Sequence, residues 1–238
     1  MLHEVVVDKP QRLAETLASR FESDGRRALA ARGRFAVALP GGSVATAFFS
    51  RLAAVPFDWS RAEFFQADER AVPPSDPASN YALARSLWLE PAGVPGARVH
   101  RMEGEAALLE QAAEAYAREL VRVLGTPPRL DFLLLGAGED GHVGSLFPGH
   151  ALMREERRWV AAIEDAPKPP PRRLTLTLPA LMAAERVVVA ALGEAKARAI
   201  RDAVEDAASS SPLALLARGS RQVSFLLDEA AASLLGER

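Results

Sequence analysis

One histidine in this chain sits in a setting suited to chemistry. Residues 130–149 read Leu-Asp-Phe-Leu-Leu-Leu-Gly-Ala-Gly-Glu-Asp-Gly-His-Val-Gly-Ser-Leu-Phe-Pro-Gly. The apolar run 132–135 empties into a loop in which Gly136, Gly138, Gly141 and Gly144 surround Glu139, Asp140 and His142. Glycine lets the backbone take positive φ and come close to a ligand. Open α/β sheets hold their ligands just beyond the carboxyl ends of the strands. His142 is therefore a titratable group delivered to a cleft and a candidate general base, with Asp140 two residues before it as a carboxylate partner. The plainer reading is a hydrogen-bonded loop histidine, and the glycines around it argue against that.

Three more strand ends carry polar chemistry. Gly41-Gly42-Ser43 follows the run 35–39 and precedes a helical pattern through Thr46, Phe49 and Leu52. Backbone amides at such a helix start point toward an anion, helped by the helix dipole; the alternative is a tight turn with a serine cap. Asp68-Glu69-Arg70 follows the run 63–66, and by itself reads as a solvated charged loop. Lys196, after Gly193-Glu194-Ala195, is expected in the first turn of a helix, where a cation opposes the dipole unless an anion sits there. Its plain reading is a solvent-facing lysine. Arg173 opens the alternation Leu174-Thr175-Leu176-Thr177-Leu178 and could equally be a strand-edge arginine.

Several other chemistries fail on spacing. Gly136, Gly138 and Gly141 make a literal G-x-G-x-x-G. Glu139 and Asp140 would repel a pyrophosphate there, and Gly144 and Pro148 leave little room for the required helix. There is no P-loop, no G-x-S-x-G elbow and no H-E-x-x-H pair. The four histidines show no metal-ligand spacing apart from His142 and His150, which Pro148 separates, so no metal is expected.

These residues need a frame to bring them together. Strand-length apolar runs fall at 5–7, 35–39, 63–66, 132–135, 159–163, 187–192 and 223–227. Between them, Leu13, Leu17 and Phe21 repeat at helical spacing, with Asp8 as the expected cap and Pro10 in the first turn. Leu109, Ala113, Tyr116 and Leu120 repeat the pattern until Gly125 and Pro127 stop it. Alternating strands and helices predict an α/β fold with a mainly parallel sheet and helices on both faces. The proline-rich segments 73–76 and 167–171 are too short to link independent units, and no internal repeat is visible, so residues 1–238 are expected to form a single domain.

Composition narrows the function classes. The chain has 238 residues, 49% hydrophobic and 25% charged, with a net charge of −2 and no cysteine. No basic field favours nucleic acid or an anionic membrane as a partner. Disulfides and a cysteine nucleophile are excluded. No apolar run approaches the roughly 20 residues a membrane span needs, and no signal-peptide pattern opens the chain. A cytoplasmic location is expected. Oligomeric state is left open by the sequence, which is compatible with a monomer.

Taken in order, the motifs resemble the 6-phosphogluconolactonase family, within the group that includes glucosamine-6-phosphate deaminase. The resemblance rests on Gly41-Gly42-Ser43, on Asp68-Glu69-Arg70 with Val72-Pro73 and Ser79-Asn80-Tyr81, and on Gly138 to His142 with Ser145-Leu146-Phe147-Pro148-Gly149. Arg173 to Thr177 and Gly193 to Lys196 complete it. It implies a Rossmann-like fold without a cofactor and hydrolysis of a small-molecule partner, 6-phospho-D-glucono-1,5-lactone, to 6-phosphogluconate in the oxidative pentose phosphate route. It also implies a phosphate site on Gly41, Gly42, Ser43, Arg173 and Lys196, with His142 as the catalytic histidine. The expected chemistry has neutral His142 deprotonating the attacking water and then protonating the departing ring oxygen. Asp140, or Asp68 across the cleft, would orient the ring, and Arg70 would stabilise the oxyanion or grip the sugar.

The chain departs from the family pattern in two places. Val44-Ala45 stands where Thr-Pro is usual and Pro40 where a serine is common, which shifts phosphate binding toward amides and the two cations, and Val143-Gly144 stands where Thr-Ala is common. A deaminase or isomerase is the first alternative; those enzymes carry a glutamate where this chain has Phe147 and tend to an aromatic residue where it has Arg70. A non-enzymatic sugar-phosphate sensor is the second, but it would not need His142.

Overall fold

Strands form where apolar residues run unbroken, because a parallel sheet is covered on both faces. The computed structural model describes residues 3–236. Its strands are β1 (Glu4–Val7), β2 (Phe35–Leu39), β3 (Ala62–Gln66), β4 (Asp68–Arg70), β5 (Phe132–Gly136), β6 (Val160–Ile163), β7 (Arg173–Leu176), β8 (Arg186–Ala191) and β9 (Val223–Leu227). Its helices are α1 (Pro10–Arg32), α2 (Gly42–Ala53), α3 (Asn80–Ala84), α4 (Leu109–Leu124), α5 (Leu178–Met182), α6 (Ala197–Val204), α7 (Pro212–Gly219) and α8 (Glu229–Ala232). No helix among the described residues is long and apolar enough to cross a membrane.

Six strands make a parallel sheet in the order β1-β9-β8-β5-β2-β3. Successive side chains of a strand point to opposite faces, and the core divides accordingly. Phe35, Val37 and Leu39 pack with Phe132, Leu134, Phe21, Phe49 and Trp88, under α1 and α2. Ala36 and Ala38 pack on the other side with Leu133, Leu135, Tyr116, Leu120 and Leu213, under α4 and α7. The expected α/β architecture with helices on both faces is the one observed.

Two local expectations change. Asp8 does not cap α1: Lys9 stands at that position without a side-chain bond, and Pro10 is the first helical residue. More consequential is a second, antiparallel sheet of order β4-β7-β6. Asp68-Glu69-Arg70, read from sequence as a charged loop, is one of its strands, and pairs Asp68 with Thr175, Glu69 with Leu174 and Arg70 with Arg173. The link is Ala67, whose N–H donates to the Leu39 carbonyl while its own carbonyl accepts from the Leu176 N–H.

Strand order fixes where a ligand can enter. From β2 the chain moves to β3 at one edge, whereas β5 leads through β8 to β9 on the other side. The loops leaving β2 and β5 therefore diverge, and the crevice between them is the topological switch point where open α/β sheets bind ligands.

The α1–α2 face depends on Trp88, which is fully buried with ring centroids 5.2 Å from Phe21, 5.2 Å from Phe49 and 5.4 Å from Phe64. Trp88→Ala should cost about 3–5 kcal/mol of stability, read as a lower denaturant midpoint. Trp88→Phe should cost clearly less, since the indole N–H is buried without a partner and nothing polar is lost with it.

Candidate active site

A cleft opens at that switch point, lined by Pro40 to Val44, Asp68, Arg70, Asn80, Gly136 to Gly138, His142, Gly144, Arg173 and Lys196. Eight of the nine residues singled out from sequence border it: Gly41, Gly42, Ser43, Asp68, Arg70, His142, Arg173 and Lys196. The ninth, Asp140, stands behind His142.

The loop after β5 is built to aim the imidazole. The Gly138 N–H donates to the His142 carbonyl (2.8 Å), and the Gly141 N–H to the Gly138 carbonyl (3.0 Å). Gly141, at φ +80°, turns its carbonyl to accept from the Leu213 N–H at the start of α7 (2.9 Å). Val143, Leu146 and Phe147 then anchor the loop in the core. His142, its side chain 19% exposed, meets the Asp140 Oδ1 through Nδ1 at 2.5 Å. A carboxylate only accepts, so Nδ1 carries the proton and Nε2 is left with a lone pair and no protein partner among the described residues. A Cβ on Gly138 would overlap His142 Nδ1 and Asp140 Oδ1.

Electrostatics keep this pair split. Burial, the largest influence, pulls the His142 pKa below its ordinary value, aided by Lys168 and opposed by Asp140 and Asp68. Burial acts against the Asp140 carboxylate as well, yet its contacts with His142, with help from Lys168, hold its pKa below the usual range. At neutral pH the histidine is a neutral acceptor beside an ionised carboxylate.

The opposite wall is cationic. Arg70 and Arg173 pair across the β4–β7 ladder, so their side chains share a face. Arg173, only 5% exposed, donates to the carbonyls of Lys168 (3.0 Å), Pro169 (3.2 Å) and Pro170 (3.0 Å) and to Ser145 Oγ (3.3 Å). Arg70 donates to the Ala78 carbonyl at 2.6 Å, and its Nε is buried without a partner. Neither makes an ion pair among the described residues. Burial, and then the Arg70 charge, push the Arg173 pKa down against the pull of Asp68; a guanidinium remains charged all the same.

The remaining expected residues fall around this wall. Gly41 caps α2 with no side-chain bond to the first amides, so the serine-cap reading of Ser43, which lies inside the helix, does not hold. A Cβ on Gly41 would collide with the Asn80 side chain. Lys196 ends a short 3₁₀ turn, Glu194–Lys196, and precedes α6 rather than lying in its first turn. Its Nζ is 3.7 Å from Glu139 Oε1. Asp68 is not the partner of His142. It accepts from Ser145 Oγ (2.7 Å) and Asn80 Nδ2 (3.2 Å), and among the described residues Asp140 is the carboxylate that bonds the imidazole.

Sequence reasoning missed two kinds of residue here. Asn80 and Ser145 tie Asp68 in place, and both lie in motifs quoted only for the family resemblance. Glu69, 2% exposed, organises the segment that carries Asn80. It accepts from Gln66 Nε2 (2.8 Å), Arg70 N (2.8 Å), Ser79 Oγ (2.9 Å), Asn80 N (2.7 Å) and Tyr81 N (2.8 Å). The other polar histidines serve elsewhere: His100 bridges Glu63 and Glu119, and His150 meets Asp165. No group of three or more His, Asp or Glu among the described residues could hold a metal ion.

Comparisons with known proteins give the chain its family. A family model described as "Glucosamine-6-phosphate isomerases/6-phosphogluconolactonase" matches residues 8–225, and the chain belongs to that family. It is 40% identical to the 6-phosphogluconolactonase of Rattus norvegicus, over 97% of this chain and 92% of the rat protein. It is 39% identical to that of Streptomyces coelicolor, over 98% of this chain and 94% of that one. The solved structure of 6-phosphogluconolactonase from Trypanosoma brucei superposes with a TM-score of 0.86 at 29% identity, over 98% of this chain and 99% of the other.

Gly138→Ala should leave the protein folded but push His142 off its position. A displacement of about 1 Å costs on the order of 10²-fold in rate, so kcat should fall by at least that much while the thermal midpoint moves little.

Proposed function

We infer that this chain is a 6-phosphogluconolactonase, hydrolysing 6-phospho-D-glucono-1,5-lactone to 6-phospho-D-gluconate. The observation that carries the reading is one cleft with a neutral, carboxylate-oriented imidazole on one side and, on the other, two guanidiniums that make no ion pair among the described residues. The first suits water activation; of the second, Arg173 suits a phosphate carrying roughly two negative charges and Arg70 the oxyanion that develops at C1.

In the reaction, water attacks the C1 carbonyl and gives its proton to His142 Nε2. Asp140 holds the ring in the required tautomer and stabilises the imidazolium that forms. The negative charge developing on the carbonyl oxygen is met by Arg70. As the bond from C1 to the ring oxygen breaks, the imidazolium returns the proton to that oxygen, which becomes the C5 hydroxyl. One water is consumed and the base is regenerated. The amides of Gly41, Gly42 and Ser43, with Arg173 and Lys196, hold the phosphate and so position the lactone. Asp68, fastened by Ser145 and Asn80, faces the sugar.

A deaminase is disfavoured by Phe147. The ring lies where those enzymes carry a glutamate, is fully buried, and packs 4.8 Å from the imidazole, leaving no carboxylate to assist ring opening.

Two outcomes test the reading. His142→Ala should lose about two to four decades of kcat. In the wild type, kcat/KM should fall as the pH drops through a pKa below the ordinary 6.5 or so, because burial favours the neutral ring; above that pKa the profile should be flat. A folded His142→Ala enzyme with near-native turnover would remove the base.

The clamp is tested by substrate choice. Charge-assisted bonds contribute about 1.5–3 kcal/mol each, so unphosphorylated gluconolactone should be about two to four orders of magnitude poorer in kcat/KM. Arg173→Ala and Lys196→Ala should harm mainly the phosphorylated substrate, and inorganic phosphate should compete with it. Equal kcat/KM for both lactones, after subtraction of spontaneous hydrolysis, would mean that no clamp exists.

A further inference from the structure

Between β6 and β7 the chain runs through Pro167, Lys168, Pro169, Pro170 and Pro171. Proline fixes φ and has no N–H to bond elsewhere, so this segment is held through its carbonyls. Arg173 takes three of them, those of Lys168, Pro169 and Pro170. The Ala166 N–H closes the loop on the Pro171 carbonyl at 2.9 Å. The backbone of Lys168 is thus fixed by a guanidinium of the cationic wall. From there its side chain reaches the other wall: Nζ stands 3.8 Å from Asp140 Oδ1, the same oxygen that meets His142 Nδ1 at 2.5 Å.

That shared oxygen bears on a conflict in the design of a base. A carboxylate at hydrogen-bond distance fixes an imidazole, but it also favours the imidazolium, which cannot accept a proton. We propose that Lys168 is a positioning residue of the base, its ammonium sharing Asp140 Oδ1 with His142 so that the carboxylate aims the ring without drawing a second proton onto it. The inference rests on the reading of His142 as general base.

The charged groups facing the imidazole come from three segments. Asp140 on its own loop and Asp68 on β4 favour the charged ring, while Lys168 on the proline loop opposes it. Arg173 on β7 lies on the far contact of Phe147, whose ring it approaches at 5.6 Å. Burial and Lys168 outweigh the two carboxylates, and the neutral form results. A solvated lysine with no role would leave the ring's titration untouched, and that difference can be measured.

Lys168→Met removes the charge and keeps the apolar stem. The acid limb of kcat/KM should move up by about half to one pH unit, so that activity well below its midpoint drops about three- to tenfold while activity at pH 8 changes less than about twofold. The NMR titration midpoint of the His142 ring, assigned with His142→Ala, should rise by the same amount without reference to turnover. Inhibition by inorganic phosphate should be unchanged, and Lys168→Arg should restore the wild-type limb. A folded Lys168→Met protein with the wild-type midpoint overturns the inference, as does a Lys168→Arg protein shifted as far as Lys168→Met. If His142→Ala keeps near-native turnover, the base reading falls and this inference with it; an unmoved midpoint beside a working base removes this inference alone.

Discussion

Two arginines facing each other across a two-strand ladder, neither in an ion pair among the described residues, are the constraint on which the rest of the site depends. Like charges opposite one another on a sheet are unfavourable, and burying them adds to the cost. The fold accepts the pair by giving Arg173 three backbone carbonyls and Arg70 one. Carbonyls take up N–H groups without cancelling the charge, so the positive field survives in the cleft. Replacing those carbonyls by carboxylates would stabilise the chain and abolish the reason for the pair.

Around that wall, the acids of the site are each spoken for. Asp68 is held by Ser145 and Asn80, Glu69 by five donors, and Asp140 by His142 and Lys168. None is left to collapse onto the guanidiniums. Glu139 stands 3.7 Å from Lys196 and is largely exposed, so solvent screens that contact. Separation of charge, rather than its pairing, is what this cleft is built to maintain.

Much of this was legible in the chain because local signals and global position agree. The run 132–135 is a strand by its apolar content, and the glycines after it announce a loop that comes close to something. The Gly41-Gly42-Ser43 turn before a helical period was equally readable. What sequence could not show was the second sheet. Three charged residues in a row look solvated, and the burial of Asp68-Glu69-Arg70 depends on donors from residues 66 and 79–81 and on a strand at 173–176. Side-chain pairing over such separations leaves no local period. The same limit hid Lys168, which sits in a proline run whose composition says only that the segment is stiff.

The ladder between residues 68–70 and 173–176 also has a meaning for how the enzyme comes into being. It closes a stretch of chain that contains α3, α4 and β5, and closing so long a loop carries an entropic cost that must be met before the contact is rewarded. The Arg70–Arg173 wall therefore exists only once two distant segments have docked, whereas the histidine loop is carried by β5 of the parallel sheet. Whatever binds the folded chain through that ladder, and not the unfolded one, pulls the chain toward its finished form.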